Sequence, residues 1–271
     1  MHALKRGDIV ARKSYGGDVY FTIEEISDSR DEGTKCILRG LHSRLIADAD
    51  IEDLVKKDPK EVYSKIQKHT TIIKRNTYVR NFPYRLATYR ANSRPGTVLH
   101  IDSSQDFMDK CVSYYRQANI RSYGIWSNES EQPYRITGLL QQYRPDILVI
   151  TGHDAMKKGT FTSDSIENYR NSKYFIQAVK EARRFQADKN KLCIFAGACQ
   201  SYYQGIMAAG ANFASSPGRI LINALDPAIV SEKVALTDFR SVVTPQEISR
   251  LTVSGSKGIG GIPTKGHLTW V

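Results

Sequence analysis

Long hydrophobic runs are missing from this 271-residue sequence. Its apolar stretches, such as Ile-Leu-Val-Ile at 147–150, are only a few residues long, whereas a helix that crosses a bilayer needs about 20. A transmembrane helix is therefore excluded. The opening Met-His-Ala-Leu-Lys-Arg-Gly-Asp lacks the apolar core of about 7–15 residues that a secretory signal requires. The chain is accordingly expected to stay in the compartment where it is made. Cysteine is scarce: Cys36, Cys111, Cys193 and Cys199 are scattered and none belongs to a Cys-x-x-Cys pair, which excludes a disulfide scaffold and predicts reduced thiols. No Gly-x-x-x-x-Gly-Lys-Ser/Thr occurs, and no Gly-x-Gly-x-x-Gly follows the first strand of the later α/β rhythm, so P-loop and dinucleotide readings lose support. Internal repeats and low-complexity tracts are also missing.

What remains is the composition of an ordinary globular chain: 41% hydrophobic and 25% charged residues with a mean hydropathy of −0.42. This length supports one large core plus a small second domain. The net charge of +11 is unevenly placed, because positions 56–94 hold eleven Lys or Arg against two acids, Asp58 and Glu61. The rest is nearly balanced, which argues against nucleic acid as the partner. The basic stretch reads as a solvated connector or as a docking surface for polyanions.

Residues 1–55 read as short strands broken by Gly16-Gly17 and Asp31-Glu32-Gly33, which predicts a small β-barrel of SH3-like size. Residues 56–96 carry a weak helical pattern (Val62, Ile66, His69, Ile73) and then Pro83 and Arg94-Pro95-Gly96, and are expected to form a basic linker. From 97 to 271 apolar runs alternate with amphipathic helices. Strands are expected at 98–101, 123–126, 147–151, 192–196 and 212–215, and helices near 105–118, 133–143, 170–187 and 200–208. This alternation predicts an α/β domain, a parallel sheet flanked by helices, with its chemistry at the carboxyl ends of the strands.

Two of those ends carry reactive side chains. The run 147–151 leads into Gly152-His153-Asp154, and 192–196 into Gly197-Ala198-Cys199-Gln200. Neighbouring strands lie about 4.8 Å apart, so a thiol and an imidazole just past adjacent ends can share one substrate atom. A helix starting near Gln200 would favour the Cys199 thiolate, and histidine supplies the proton a leaving amine needs. Against this stands the reading of Cys199 as a small buried hydrophobe, the role assigned to Cys193. Neither His153 nor Cys199 has a second ligand two to four residues on, so no metal site and no cofactor are expected.

The segments Ile-Leu-Val-Ile-Thr-Gly-His-Asp (147–154) and Leu-Cys-Ile-Phe-Ala-Gly-Ala-Cys-Gln-Ser (192–201) resemble the strand ends of the caspase, legumain, gingipain and clostripain class, with histidine before cysteine. Asp154 stands where that class has glycine. Class I glutamine amidotransferases place the cysteine first, which argues against them. Together with 169–175, 210–217, 225–227, 258–261 and the N-terminal 5–18, these motifs are similar to the YabG family of sporulation-specific proteases of spore-forming Firmicutes. The resemblance implies a caspase-haemoglobinase-like fold and a mother-cell cysteine protease that trims spore coat or cortex-associated proteins after arginine, with His153 and Cys199 as the catalytic pair.

An arginine in the primary pocket needs a carboxylate. Asp102, at the end of the first sheet strand, is the first candidate and Asp226 the second; Asp102 can equally cap the helix near Ser104. Ser215 and Ser216 are candidate pocket walls, and the N–H groups of Gly152 and Cys199 are candidates for the oxyanion hole. Self-cleavage is expected in the linker, which holds Arg75, Arg80, Arg85, Arg90 and Arg94, with new termini between Asn76 and Pro95. The rival expectation is a non-enzymatic scaffold that binds a polyanion or a coat protein.

Overall fold

In the computed structural model, which describes residues 4–29, 33–85, 92–157 and 165–270, the N-terminal strand patterns build one antiparallel sheet. Its strands are β1 (Ile9–Arg12), β2 (Tyr20–Ser29), β3 (Gly33–Gly40), β4 (Ile46–Asp50) and β5 (Leu54–Lys56), in the order β4-β3-β2-β1-β5. Alternate positions such as Phe21 and Ile23 on β2, and Cys36 and Leu38 on β3, are buried, as a sheet with one covered face requires. Gly16 and Gly17 both take positive φ in the turn after β1, a conformation glycine adopts without steric cost. The three-residue β5 has too little alternation to be read from sequence, and it carries the sheet one residue past 55.

Most of the basic segment is helical. In α1 (Pro59–Arg85) the Asp58 carboxylate accepts the Glu61 N–H at 2.9 Å and Pro59 opens the first turn, a favoured helix start. Val62 and Ile66 bury against Ile9 of the N-terminal sheet, and Ile73 joins the main core. Arg85 forms a buried ion pair with Glu232, Nε to Oε1 2.5 Å. Residues 86–91, Arg90 among them, lie outside the described residues.

The remaining chain runs β6 (Ser93–Arg94), β7 (Val98–Asp102), α2 (Gln105–Gln117), β8 (Ser122–Trp126), α3 (Gln132–Tyr143), β9 (Ile147–Thr151), α4 (Ser172–Phe185), β10 (Cys193–Ala196), α5 (Tyr203–Ala208), β11 (Phe213–Ser215), α6 (Asp226–Leu236), β12 (Val242–Val243), α7 (Pro245–Leu251), α8 (Gly255–Gly258), β13 (Ile259–Gly261), β14 (Thr264–Lys265) and β15 (Thr269–Trp270). Six of these strands form a sheet in the order β13-β11-β10-β9-β7-β8, parallel throughout except for β13. Both faces are apolar, as a parallel sheet between helices demands. Val98, Val149 and Phe195 face the cluster holding α2, α6 and the N-terminal sheet, whereas Leu99, Leu148 and Ile194 face α3, α4 and α5. Among the described residues no helix is long and apolar enough to cross a membrane.

Candidate active site

The chain order β7, β8, β9, β10 becomes the spatial order β8-β7-β9-β10, so crossovers leave the β7/β9 boundary in opposite directions. Such a switch point opens a crevice at the carboxyl ends of the strands. Asp102 ends β7 opposite Thr151, and Ala196 of β10 lies opposite Ile150 of β9, which brings Asp102, His153 and Cys199 to one edge. Gly197 takes φ +110 and turns the chain sharply after β10. The Ser201 hydroxyl then accepts the Ala198 N–H at 2.8 Å, fixing the turn that presents Cys199.

His153 is fully packed. Its backbone N–H donates to Glu129 Oε1 at 2.7 Å, and its ring stacks on Phe107 with centroids 5.5 Å apart. The Arg39 guanidinium donates to Nδ1 at 3.0 Å, which assigns the proton to Nε2, 3.4 Å from the Gly40 carbonyl. Burial first, and the Arg39 charge second, push the imidazole pKa down to about 3. Cys199 Sγ accepts the Ile222 N–H at 3.3 Å, and burial pushes the thiol up to about 12. Both groups are neutral here, and among the described hydrogen bonds none joins one to the other. The helix expected from Gln200 begins instead at Tyr203 and is six residues long, so it does not supply the expected thiolate stabilisation at Cys199.

A residue that the sequence did not single out occupies the crevice. Arg44, in the turn between β3 and β4, is 0% exposed. Its carbonyl oxygen accepts the backbone N–H groups of Cys199 and of Asp154, each at 3.2 Å. Its guanidinium forms an ion pair with Asp102, donates to the Ala224 carbonyl at 3.3 Å, and lies 4.9 Å from the centroid of Phe107. The flanking backbone is paired on both sides: Ser43 bridges Asn223 antiparallel, Leu45 bridges Asp154 parallel, and the Ile46 N–H donates to the Asp154 carbonyl at 3.1 Å.

Asp102 meets an arginine of this chain, Arg44, and also touches the residue before α2, whose N-cap is Ser104. It accepts the Ser104 N–H at 2.8 Å, at the start of α2, and its other oxygen takes the Thr151 hydroxyl at 2.8 Å beside the Arg44 guanidinium. Burial alone would raise its pKa, but the charge of Arg44 and the hydrogen bond from His100 outweigh it and hold the carboxyl well below the usual range. Asp226 instead accepts the N–H groups of Val253 at 2.7 Å and Ser254 at 3.2 Å, and so shapes the loop behind Cys199. Ser215 donates to the Ala198 carbonyl at 2.9 Å, and Ser216 accepts the Gln200 N–H at 3.0 Å. Both brace the Cys199 turn rather than meeting the guanidinium. Gly152 is not one of the two donors to the Arg44 carbonyl; a Cβ there would meet Glu129 Oε1 at 2.6 Å.

The second donor is Asp154, whose buried carboxylate accepts the hydroxyls of Ser172 at 2.5 Å and Ser201 at 3.0 Å, joining the two strand-end loops. Burial pushes it up to about 6. Its signals in the sequence are its place beside His153 and its departure from the glycine of the resembled class. Among the described residues no group of three or more His, Cys, Asp or Glu is placed to hold a metal.

The Gly197 turn yields a direct expectation. A Cβ at that position would sit 2.4 Å from Ser215 Oγ, on a backbone at φ +110. Gly197→Ala should therefore cost about 2 kcal/mol or more in urea unfolding and move Cys199 from its place. An alanine protein as stable as the parent would remove Gly197 from the construction of the site.

A family model described as YabG peptidase U57 matches residues 5–271. The chain is 40% identical over 277 residues, 97% of its own length and 95% of its counterpart's, to the sporulation-specific protease YabG of Bacillus subtilis (strain 168). No solved structure matches it.

Proposed function

Because this chain belongs to the YabG peptidase U57 family of sporulation-specific proteases, we propose that it is a cysteine endopeptidase that cleaves after arginine, with Cys199 as nucleophile, His153 as proton carrier and Asp102 as the pocket carboxylate. One observation carries this reading: an arginine lies across the strand ends with its carbonyl on two backbone N–H groups and its guanidinium on Asp102. Preorganised N–H donors of that kind stabilise the oxyanion of acyl transfer.

In this mechanism the Cys199 thiol gives its proton to His153 and attacks the arginyl carbonyl carbon. The oxyanion rests on the N–H groups of Cys199 and Asp154. The C–N bond breaks as His153 protonates the departing amine, leaving a thioester that water hydrolyses. Glu129, which accepts the His153 N–H, holds the histidine loop. The reaction requires that Cys199 and His153 leave the neutral states they hold beneath the β3–β4 turn.

The strand order, with β13 reversed at the edge, supports a caspase-haemoglobinase-like reading of residues 97–271, and the five-stranded N-terminal sheet supports an SH3-like unit at 1–55. The substrates are spore coat and cortex-associated proteins, met first in the mother-cell cytoplasm and then in the coat. The enzyme also cuts itself. Matched coumarin peptides ending in arginine, lysine or citrulline test the reading. Arginine should be preferred over citrulline by at least about 10²-fold, since an unpaired buried carboxylate is costly, and iodoacetamide should abolish the activity. No hydrolysis of any of the three would favour a binding scaffold.

A further inference from the structure

The turn between β3 and β4 performs two separate acts on the site. It places Arg44 across Cys199, Asp154 and Asp102, and the end of β3 that leads into it, Arg39 and Gly40, holds the His153 ring. An arginine at the tip of a surface hairpin is normally solvated, and burying a guanidinium is expensive unless a matched partner awaits it. Here the partner belongs to the α/β unit and comes from the end of β7, far along the chain. The turn is also pinned at both sides: the Gly40 N–H donates to the Leu45 carbonyl at 2.9 Å and the Leu41 N–H to the Tyr20 carbonyl at 3.0 Å. A ligand tied down at both ends competes with any free peptide at a high effective concentration.

We propose that Arg44–Leu45 is an in-built substrate bond: the β3–β4 turn keeps the enzyme latent by filling its own arginine pocket, and hydrolysis of this bond opens the site. The inference rests on the reading of Cys199, His153 and Asp102 given above and adds to it the bond, its order and its consequence. The cut requires His153 to exchange the Gly40 carbonyl for the Cys199 thiol. Cys199 sulfur then bonds to the Arg44 carbonyl carbon, the Arg44–Leu45 C–N bond breaks, and the thiol proton passes through His153 to the Leu45 amine. One water then splits the thioester, leaving an Arg44 carboxylate and regenerating the thiol. Residues 41–44 become a free chain end, the tether on the Leu45 side is lost, and Arg44 exchanges with external substrate. The arginines of the basic segment are a later target: α1 already holds Arg75 and Arg85 in helical structure, whereas Arg44 is paired on both flanks by backbone bridges, Ser43 to Asn223 and Leu45 to Asp154.

The full-length protein, its Cys199→Ala, Arg44→Ala and Leu45→Pro variants, and an arginyl coumarin peptide provide the test. Intact mass spectrometry of the parent should show fragments 1–44 and 45–271, the latter beginning Leu-Ile-Ala-Asp, with a first-order rate unchanged by tenfold dilution. Peptide hydrolysis should appear after a lag that matches this cut. Cys199→Ala stays whole. Arg44→Ala shows no cut at 44 and no lag. Leu45→Pro, which keeps Arg44 but presents a poor scissile bond, stays uncut at 44 and hydrolyses the peptide at least tenfold more slowly than the processed parent. If Arg44→Ala fails to fold, the parent and Leu45→Pro alone decide. A parent that hydrolyses the peptide without a lag while Arg44–Leu45 is intact overturns the proposal and leaves the peptidase reading standing. Absence of all hydrolysis in folded parent and folded Arg44→Ala overturns the reading itself.

Discussion

Cys199→Ala should lower kcat/KM for an arginyl peptide by about 10³-fold or more, with the fold intact. In the proposed mechanism this removes the nucleophile, while the N–H groups of residues 199 and 154 and the Asp102 carboxylate stay in place, so binding should survive and chemistry should not. The structural cost is small. The sulfur accepts one backbone N–H, from Ile222 at 3.3 Å, and losing a weak neutral acceptor is worth about 1 kcal/mol. Cys193→Ala is the matched control: that thiol lies inside β10 in the core, and its loss should lower stability by about 1 kcal/mol while leaving activity unchanged. Progress curves and urea melts of both variants decide the matter. Turnover by Cys199→Ala within tenfold of the parent would falsify the nucleophile assignment.

Asp102→Asn should reduce the ratio of arginyl to citrullyl peptide hydrolysis by about 10²-fold or more, because an unpaired buried guanidinium costs about 3–5 kcal/mol. The neutral substrate loses no counter-ion. The ratio is the right readout because the substitution also weakens the hold on Arg44, which changes both absolute rates together. Equal losses on both substrates would mean that Asp102 acts only through Ser104 and Thr151, as a brace for the start of α2 and the end of β9.

The two predictions draw on residues of different legibility. Cys199 and His153 announce themselves locally, each one to three residues beyond an apolar run and a glycine. Asp102 is visible as an acid at a strand end, but which acid faces an arginine depends on the loop between β11 and α6, where Asp226 is consumed by three backbone N–H groups. Asp154 beside His153 is visible as a departure from glycine. Its two duties, N–H donor and carboxylate bridge to Ser172 and Ser201, emerge only once β9, α4 and β10 are packed together.

What the sequence by itself determined is the rhythm: runs at 98–101, 147–151 and 192–196 long enough for buried parallel strands, helices of the right period between them, and a histidine and a cysteine leaving two of the strands. Hydrophobic period is a local property, and short βα connections carry it faithfully into elements. Strand pairing is not local. That β9 lies between β7 and β10, and that a turn from the antiparallel sheet, distant in the chain from both, lays Arg44 on Cys199 and Asp102, follows from burial, from right-handed crossovers and from the pairing of one buried charge with another. No periodicity records such long-range matches, so the occupant of the site was decided by the tertiary structure alone.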